Sequence, residues 1–167
     1  MLPYAPLSYM LPYSPAIISQ GHFVDVADNG AEALQILIDE EGMSMKHYDV
    51  VLLDLQMPVM DGFETAKRLR LHEKTMVRDR RERMEHNFEL DHEESLPLLP
   101  PLFIVGCSAN SDDATVLVAL SVGMNDFISK PLSLKGFHAI VRKHEGTIMM
   151  HCPLKDQQTR VGSSQEL

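Results

Sequence analysis

The chain has 167 residues, 15 Lys and Arg against 24 Asp and Glu, a formal charge of −9, and 44% hydrophobic residues. That length supports one sizeable core, the apolar share excludes a wholly disordered chain, and the acidic balance disfavours nucleic acid, whose phosphates are held by clustered Lys and Arg. Cys107 and Cys152 are too few for a disulfide framework and point to a reducing, cytoplasmic compartment. No apolar run approaches the roughly 20 residues that span a bilayer, so no membrane partner is expected. A signal peptide is not expected either: the first basic residue is Lys46, and Pro3, Pro6, Pro12 and Pro15 interrupt the start.

From Met1 to Gln20 no residue is charged, and M-L-P-Y-A-P recurs as M-L-P-Y-S-P. The prolines argue against a helix or a central strand there, because proline lacks the backbone donor and fixes φ. Residues 1–20 are therefore expected to be a disordered proline-rich leader; the other reading is a ligand for an aromatic groove. Residues 22–27 (H-F-V-D-V-A) alternate as a strand does, and Asn29-Gly30 signals a turn. Residues 31–39 carry apolar side chains at helical spacing. Residues 48–53 (Y-D-V-V-L-L) form the short branched apolar run of a parallel strand buried on both faces.

After Gly62, residues 63–71 read as an amphipathic helix, and 102–107 (L-F-I-V-G-C) as a second buried strand. A helix over 112–122 stops at Gly123, a brief strand follows at 126–129, and a last helix covers 134–144. Strands alternating with helices predict an α/β fold with a doubly wound parallel sheet. The folded unit is expected to span 21–145, with 146–167 a flexible tail. Within it, 71–101 is an insertion of about thirty residues where a helix-to-strand connection usually takes ~2–6. Its charges can pair Arg78 with Glu82 and Arg81 with Glu85, so a solvated extension of the preceding helix followed by a loop is favoured over a partner-docking arm.

Asp54 directly follows V-V-L-L and so lies at the carboxyl end of a parallel strand, where ligands of open α/β sheets bind. Ser108 follows L-F-I-V-G-C, and Lys130 follows D-F-I-S. A carboxylate, a hydroxyl and an ammonium at neighbouring strand ends are the parts for accepting a phosphoryl group: a nucleophile, a hydrogen-bond donor and a cation. Met57 and Met60 are expected to pack, and the eight histidines show no zinc-binding spacing. A phosphatase that uses an Asp after a strand would need a second acid two residues later, and that position is Gln56.

The runs V-D-V-A-D-N-G-A-E-A-L, D-V-V-L-L-D-L-Q-M-P-V-M-D-G, C-S-A-N and M-N-D-F-I-S-K-P resemble, in order, the motifs of response-regulator receiver domains, especially those attached to hybrid sensor kinases. The resemblance implies a flavodoxin-like fold of strand order 2-1-3-4-5, for which the chemotaxis receiver is a standard example. It implies a phosphoacceptor in a His–Asp phosphorelay: a signalling module, not an enzyme. Asp54 would be phosphorylated from a histidine kinase or a histidine phosphotransfer protein with Mg²⁺ present. Ser108 and Lys130 would hold the phosphoryl oxygens, Phe127 would be the aromatic switch, and Asp54 with the Gln56 backbone carbonyl would be metal ligands. A downstream partner would dock on the last helix–strand–helix face, and the Lys130–Pro131 peptide would be cis.

Two features depart from the pattern. A first strand and the adjacent acids that end it are expected about twenty residues before Gly21, and residues 1–20 contain no acid. The chain is thus expected to be an N-terminally truncated receiver that binds Mg²⁺ poorly, the alternative function being a pseudo-receiver interaction module that is not phosphorylated.

Overall fold

The computed structural model describes residues 7–9, 22, 24–38, 45–46, 48–86 and 100–149, without the side chains of 7–9, 83–86 and 149. Five strands, β1 (Leu7–Tyr9), β2 (Val24–Val26), β3 (Val51–Asp54), β4 (Ile104–Ser108) and β5 (Asp126–Ser129), form one parallel sheet of order β2-β1-β3-β4-β5. The helices are α1 (Gly30–Leu37), α2 (Gly62–His86), α3 (Asp113–Ser121), α4 (Leu134–Lys143) and α5 (Glu145–Met149).

Alternation along the central strands divides the core into two layers. Val51, Leu53 and Ile104 face Ala33 and Leu37 of α1, Ala66 and Leu69 of α2, and Ala119 of α3. Leu52, Phe103, Val105 and Cys107 face Phe137 of α4 and Ile148 of α5. Each strand residue points opposite to its neighbour, so a run apolar at every position must be covered on both sides. β3 and β4 are buried throughout, as V-V-L-L and L-F-I-V-G-C require.

Helix starts follow their caps. Asn29 Oδ1 accepts from the N–H groups of Ala31 and Glu32, Asp112 from Thr115 N–H, and Ser133 from Gly136 N–H, each serving a donor that the first helical turn leaves orphaned. α3 ends at Gly123, whose φ of +98° is left-handed, and a Cβ there would meet Arg70 Cγ at 2.8 Å. Only glycine suits both the backbone and the space.

Two expectations need correction. Residues 1–20 are not wholly without structure: Leu7–Tyr9 occupies the central slot, pairing with both β2 and β3, so the first strand taken to be lost is present. Its residues lie between Pro6 and Pro12, and three consecutive non-proline residues suffice for a short ladder. The tail does not begin at 146, because α5 continues to Met149 and buries Ile148 at 6% exposure. The 71–101 insertion, by contrast, agrees with the favoured reading of a helix extension: it is helical as far as His86, continuing α2 without a break. Arg78 Nε stands 3.7 Å from Glu82 Oε1 as the spacing suggested, while the side chain of Glu85 and residues 87–99 lie outside what is described. So do residues 150–167, including Cys152.

Candidate functional site

Asp54, Ser108 and Lys130 meet at the carboxyl ends of β3, β4 and β5. Parallel register aligns Asp54 with Cys107, Ser108 with Ser129, and Lys130 N–H donates to Ser108 O at 2.8 Å. Lys130 Nζ donates to Asp54 Oδ2 in a short charged hydrogen bond, with side-chain exposures of 26% and 13%. Partial burial strengthens that attraction relative to water, because the local dielectric is lower. Gln56 N–H donates to Asp54 Oδ1 at 3.0 Å, so both carboxylate oxygens are oriented by the chain itself. Ser108 is 2% exposed, and its Oγ accepts from Asn110 N–H at 3.1 Å.

The loop after β3 is held close to the strand it leaves. A Cβ on Gly62 would come within 2.3 Å of Asp54 O, so only glycine lets α2 start there. Gly30 N–H donates to Met60 O at 3.1 Å, and Thr65 Oγ1 donates to Asp61 O at 2.6 Å, tying the loop to α1 and α2. Val59, 86% exposed, takes φ of +65°, a costly conformation for a β-branched residue. Met57 packs against the core, as expected. Phe127, half-buried, lies opposite Gly106 in the β4–β5 register and packs on the same layer as Met57. The Lys130–Pro131 peptide is cis.

Burial pushes the thiol of neighbouring Cys107 up to about 12, with the charge of Asp54 adding to the effect, so it stays protonated and unreactive. Among the described residues no three His, Cys, Asp or Glu side chains gather closely enough to hold a metal ion. Two contributions escaped the sequence reading. The Gln56 N–H donates to Asp54, and Asn110 supports Ser108 while its side chain donates to Asp112 Oδ2 at 2.9 Å. Asn110 stands in the motif C-S-A-N, but an Asn two residues past a strand also reads as an ordinary turn.

A family model described as "Response regulator receiver domain" matches residues 13–78. The two-component response regulator ORR41 of Oryza sativa subsp. japonica is 32% identical over 123 residues, 74% of this chain and 73% of that protein. The chain belongs to the response-regulator receiver family. Hybrid signal transduction histidine kinase E of Dictyostelium discoideum is 35% identical over 111 residues, 66% of this chain but 5% of the kinase. The receiver therefore corresponds to a small part of such kinases. The fold agrees with that of the receiver domain of Ssk1, co-crystallised with the histidine phosphotransfer protein Ypd1 of Saccharomyces cerevisiae. The TM-score is 0.60 at 23% identity, covering 92% of this chain and 95% of that one. It also agrees with the receiver of sensor kinase PA1611 of Pseudomonas aeruginosa, which holds magnesium in its active-site cleft: TM-score 0.54, 19% identity, covering 86% of this chain and 99% of that one. The receiver is thus a module of two-component signal transduction, and no helix among its described residues is long and apolar enough to cross a membrane.

Proposed function

We propose that Asp54 accepts a phosphoryl group from a phosphohistidine, making this receiver an intracellular acceptor in a His–Asp relay. The observation that carries the reading is the Asp54 carboxylate held by the Lys130 ammonium, with the buried Ser108 hydroxyl at the adjoining strand end. In the step, a carboxylate oxygen attacks phosphorus, the imidazole N–P bond breaks, and its electron pair returns to the ring nitrogen. The ring's other nitrogen carries the proton, so neutral imidazole departs. Ser108 and Lys130 then donate to the phosphoryl oxygens, the Lys130 charge offsetting the approach of one anion to another. Phe127, packed beside the same strand ends, is the residue that responds when Ser108 moves.

The donor is a histidine kinase or a histidine phosphotransfer protein, a reading supported by the Ypd1 complex of the structural neighbour. A downstream partner uses the α3–β5–α4 face, where Leu117, Val118 and Leu120 are exposed. The unit that does this runs from β1 to α5. The family's Mg²⁺ does not fit these residues well. Among the described residues no cluster of carboxylates gathers around Asp54, its oxygens are already engaged, and the Gln56 carbonyl alone adds little to the oxygen shell that Mg²⁺ demands.

The test is incubation with acetyl phosphate and with phosphorylated Ypd1, read by intact mass spectrometry. One phosphoryl group on the wild type, none on Asp54→Asn and a drop of about a hundredfold in rate for Lys130→Ala are expected. Label on Asp54→Asn overturns the assignment. A second reading, an interaction module that takes no phosphate, is favoured by the absence of acids from residues 1–20, and it requires that the wild type stay unlabelled.

A further inference from the structure

We infer that in this chain the ammonium of Lys130, in place of a divalent cation, is the resident counter-charge of Asp54, so that acceptor chemistry here runs without Mg²⁺. The inference rests on the acceptor reading and concerns what neutralises the site. Among the described residues, the strand ends beside β3 are the nearest places from which a second carboxylate for a metal could come. On one side that end belongs to β4 and supplies Ser108. On the other it belongs to β1, paired through Ser8 with Val51 and Tyr9 with Leu52. The residues that follow Tyr9 are Met10, Leu11 and Pro12, none with a side-chain oxygen. The slot is filled, and neither the strand in it nor the three residues after it bring a carboxylate.

Four other acids among the described residues have partners of their own. Asp25, the first acid in the chain, accepts from Tyr48 Oη at 2.5 Å. Glu32 accepts from Asp28 N–H at 2.7 Å, Asp61 from Glu64 N–H at 2.8 Å, and Asp112 from Thr115 N–H at 2.7 Å. Three of these four serve helix starts, where a carboxylate is already stabilised by orphan N–H groups. Asp54 itself has Gln56 N–H on Oδ1 and Lys130 on Oδ2. An ammonium carries three donors, so Lys130 can keep one on Asp54 while offering others to an incoming phosphoryl group. A single positive charge neutralises less than a divalent ion, so the reaction is slow compared with a metal-assisted one.

The experiment uses the full chain. Mn²⁺ is titrated while amide NMR signals of Asp54, Gln56 and Ser108 are followed, and labelling by acetyl phosphate is timed in EDTA and in excess Mg²⁺. No saturable broadening of those amides is expected, with labelling rates that agree within about twofold and Lys130→Ala slowing both alike. Saturable Mn²⁺ broadening centred on Asp54, or labelling that Mg²⁺ accelerates by about tenfold or more, overturns the inference and leaves the acceptor reading intact. Labelling in neither medium overturns the acceptor reading and the inference with it. The Mn²⁺ titration needs no variant, so it decides even if Lys130→Ala fails to fold.

Discussion

The two ends of the sheet are built from similar groups and do opposite things. At the carboxyl end, Lys130 reaches one carboxylate, and the pair is open enough for another molecule to approach, with Lys130 26% exposed. At the amino end, Arg70 has all of its donors engaged. Its Nε donates to Gly123 O at 2.8 Å, Nη1 to both Glu73 oxygens at 2.9 and 2.8 Å, and Nη2 to Leu102 O and Asn125 Oδ1 at 2.8 Å each. Glu73 Oε1 also accepts from Leu102 N–H, and Asn125 Oδ1 from Ile104 N–H. This cluster staples α2 to the starts of β4 and β5, about 20 Å from Ser108 by strand rise. A charge whose donors are all matched by rigid acceptors is structure; one with capacity left over is chemistry.

That contrast breaks first under substitution of Arg70. Arg70→Ala strands Glu73 and two backbone carbonyls in a partly buried place, where side-chain exposures are 15% and 13%. A loss of about 2–3 kcal/mol is expected, seen as a fall of roughly 5–10 °C in Tm. The labelling rate of Asp54 in the folded variant should stay at the wild-type value. A large rate change with unaltered Tm would show that the two ends are not separate.

Acid should sharpen the same contrast, in two stages. Burial alone would push the Asp126 carboxyl up, but hydrogen bonds from Lys143, the Phe127 N–H and His144 together bring it below its ordinary value of 3.8. Such a group stabilises the fold above its unfolded pKa and loses that contribution as pH falls through the folded value. His22 is also lowered from 6.5, chiefly by burial and then by His138, so the fold prefers its neutral form. Stability is therefore expected to decline first as pH drops below 6.5, through His22, and again below 3.8, through Asp126. Tm measured against pH should lose the second stage in Asp126→Asn while retaining the first.

The smallest expected effect lies in the loop beside Asp54. Val59→Asn, at φ of +65°, should raise stability by about 1 kcal/mol, or ~2–4 °C in Tm, because Asn tolerates the left-handed region far better than a β-branched residue. Acetyl phosphate labelling should be unchanged, since Val59 points into solvent at 86% exposure. A fall in Tm would mean that the side chain, and not the backbone, sets the loop.

Much of this protein could be read from its residues. β3 and β4 announce themselves as unbroken branched runs between turn residues, and β5 matches its expected bounds of 126–129. Asp54, Ser108 and Lys130 stand out because each directly follows such a run, and parallel strands bring their carboxyl ends together. The central strand β1 could not be read, since three residues between prolines carry too weak a pattern to distinguish a buried strand from a leader. The extension of α2 past residue 71 could be read, but not its end at His86. Past Glu73 its charged residues show no apolar stripe, and the helix continues from the anchored turn at Arg70 because propagation adds a hydrogen bond per residue once a nucleus exists.

By itself, then, the amino-acid order determines the alternation of strand and helix, the helix caps at Asn29, Asp112 and Ser133, and which three side chains terminate the strands. Those are local properties, set by periodicity, capping and the twofold burial of short apolar runs. Which segment fills the slot between β2 and β3, which backbone N–H orients Asp54, and whether a cation is free or stapled were decided only by tertiary structure. Each depends on partners far apart in the chain, such as Arg70 with Asn125 or Asp54 with Lys130, and strand register and packing alone determine who those partners are.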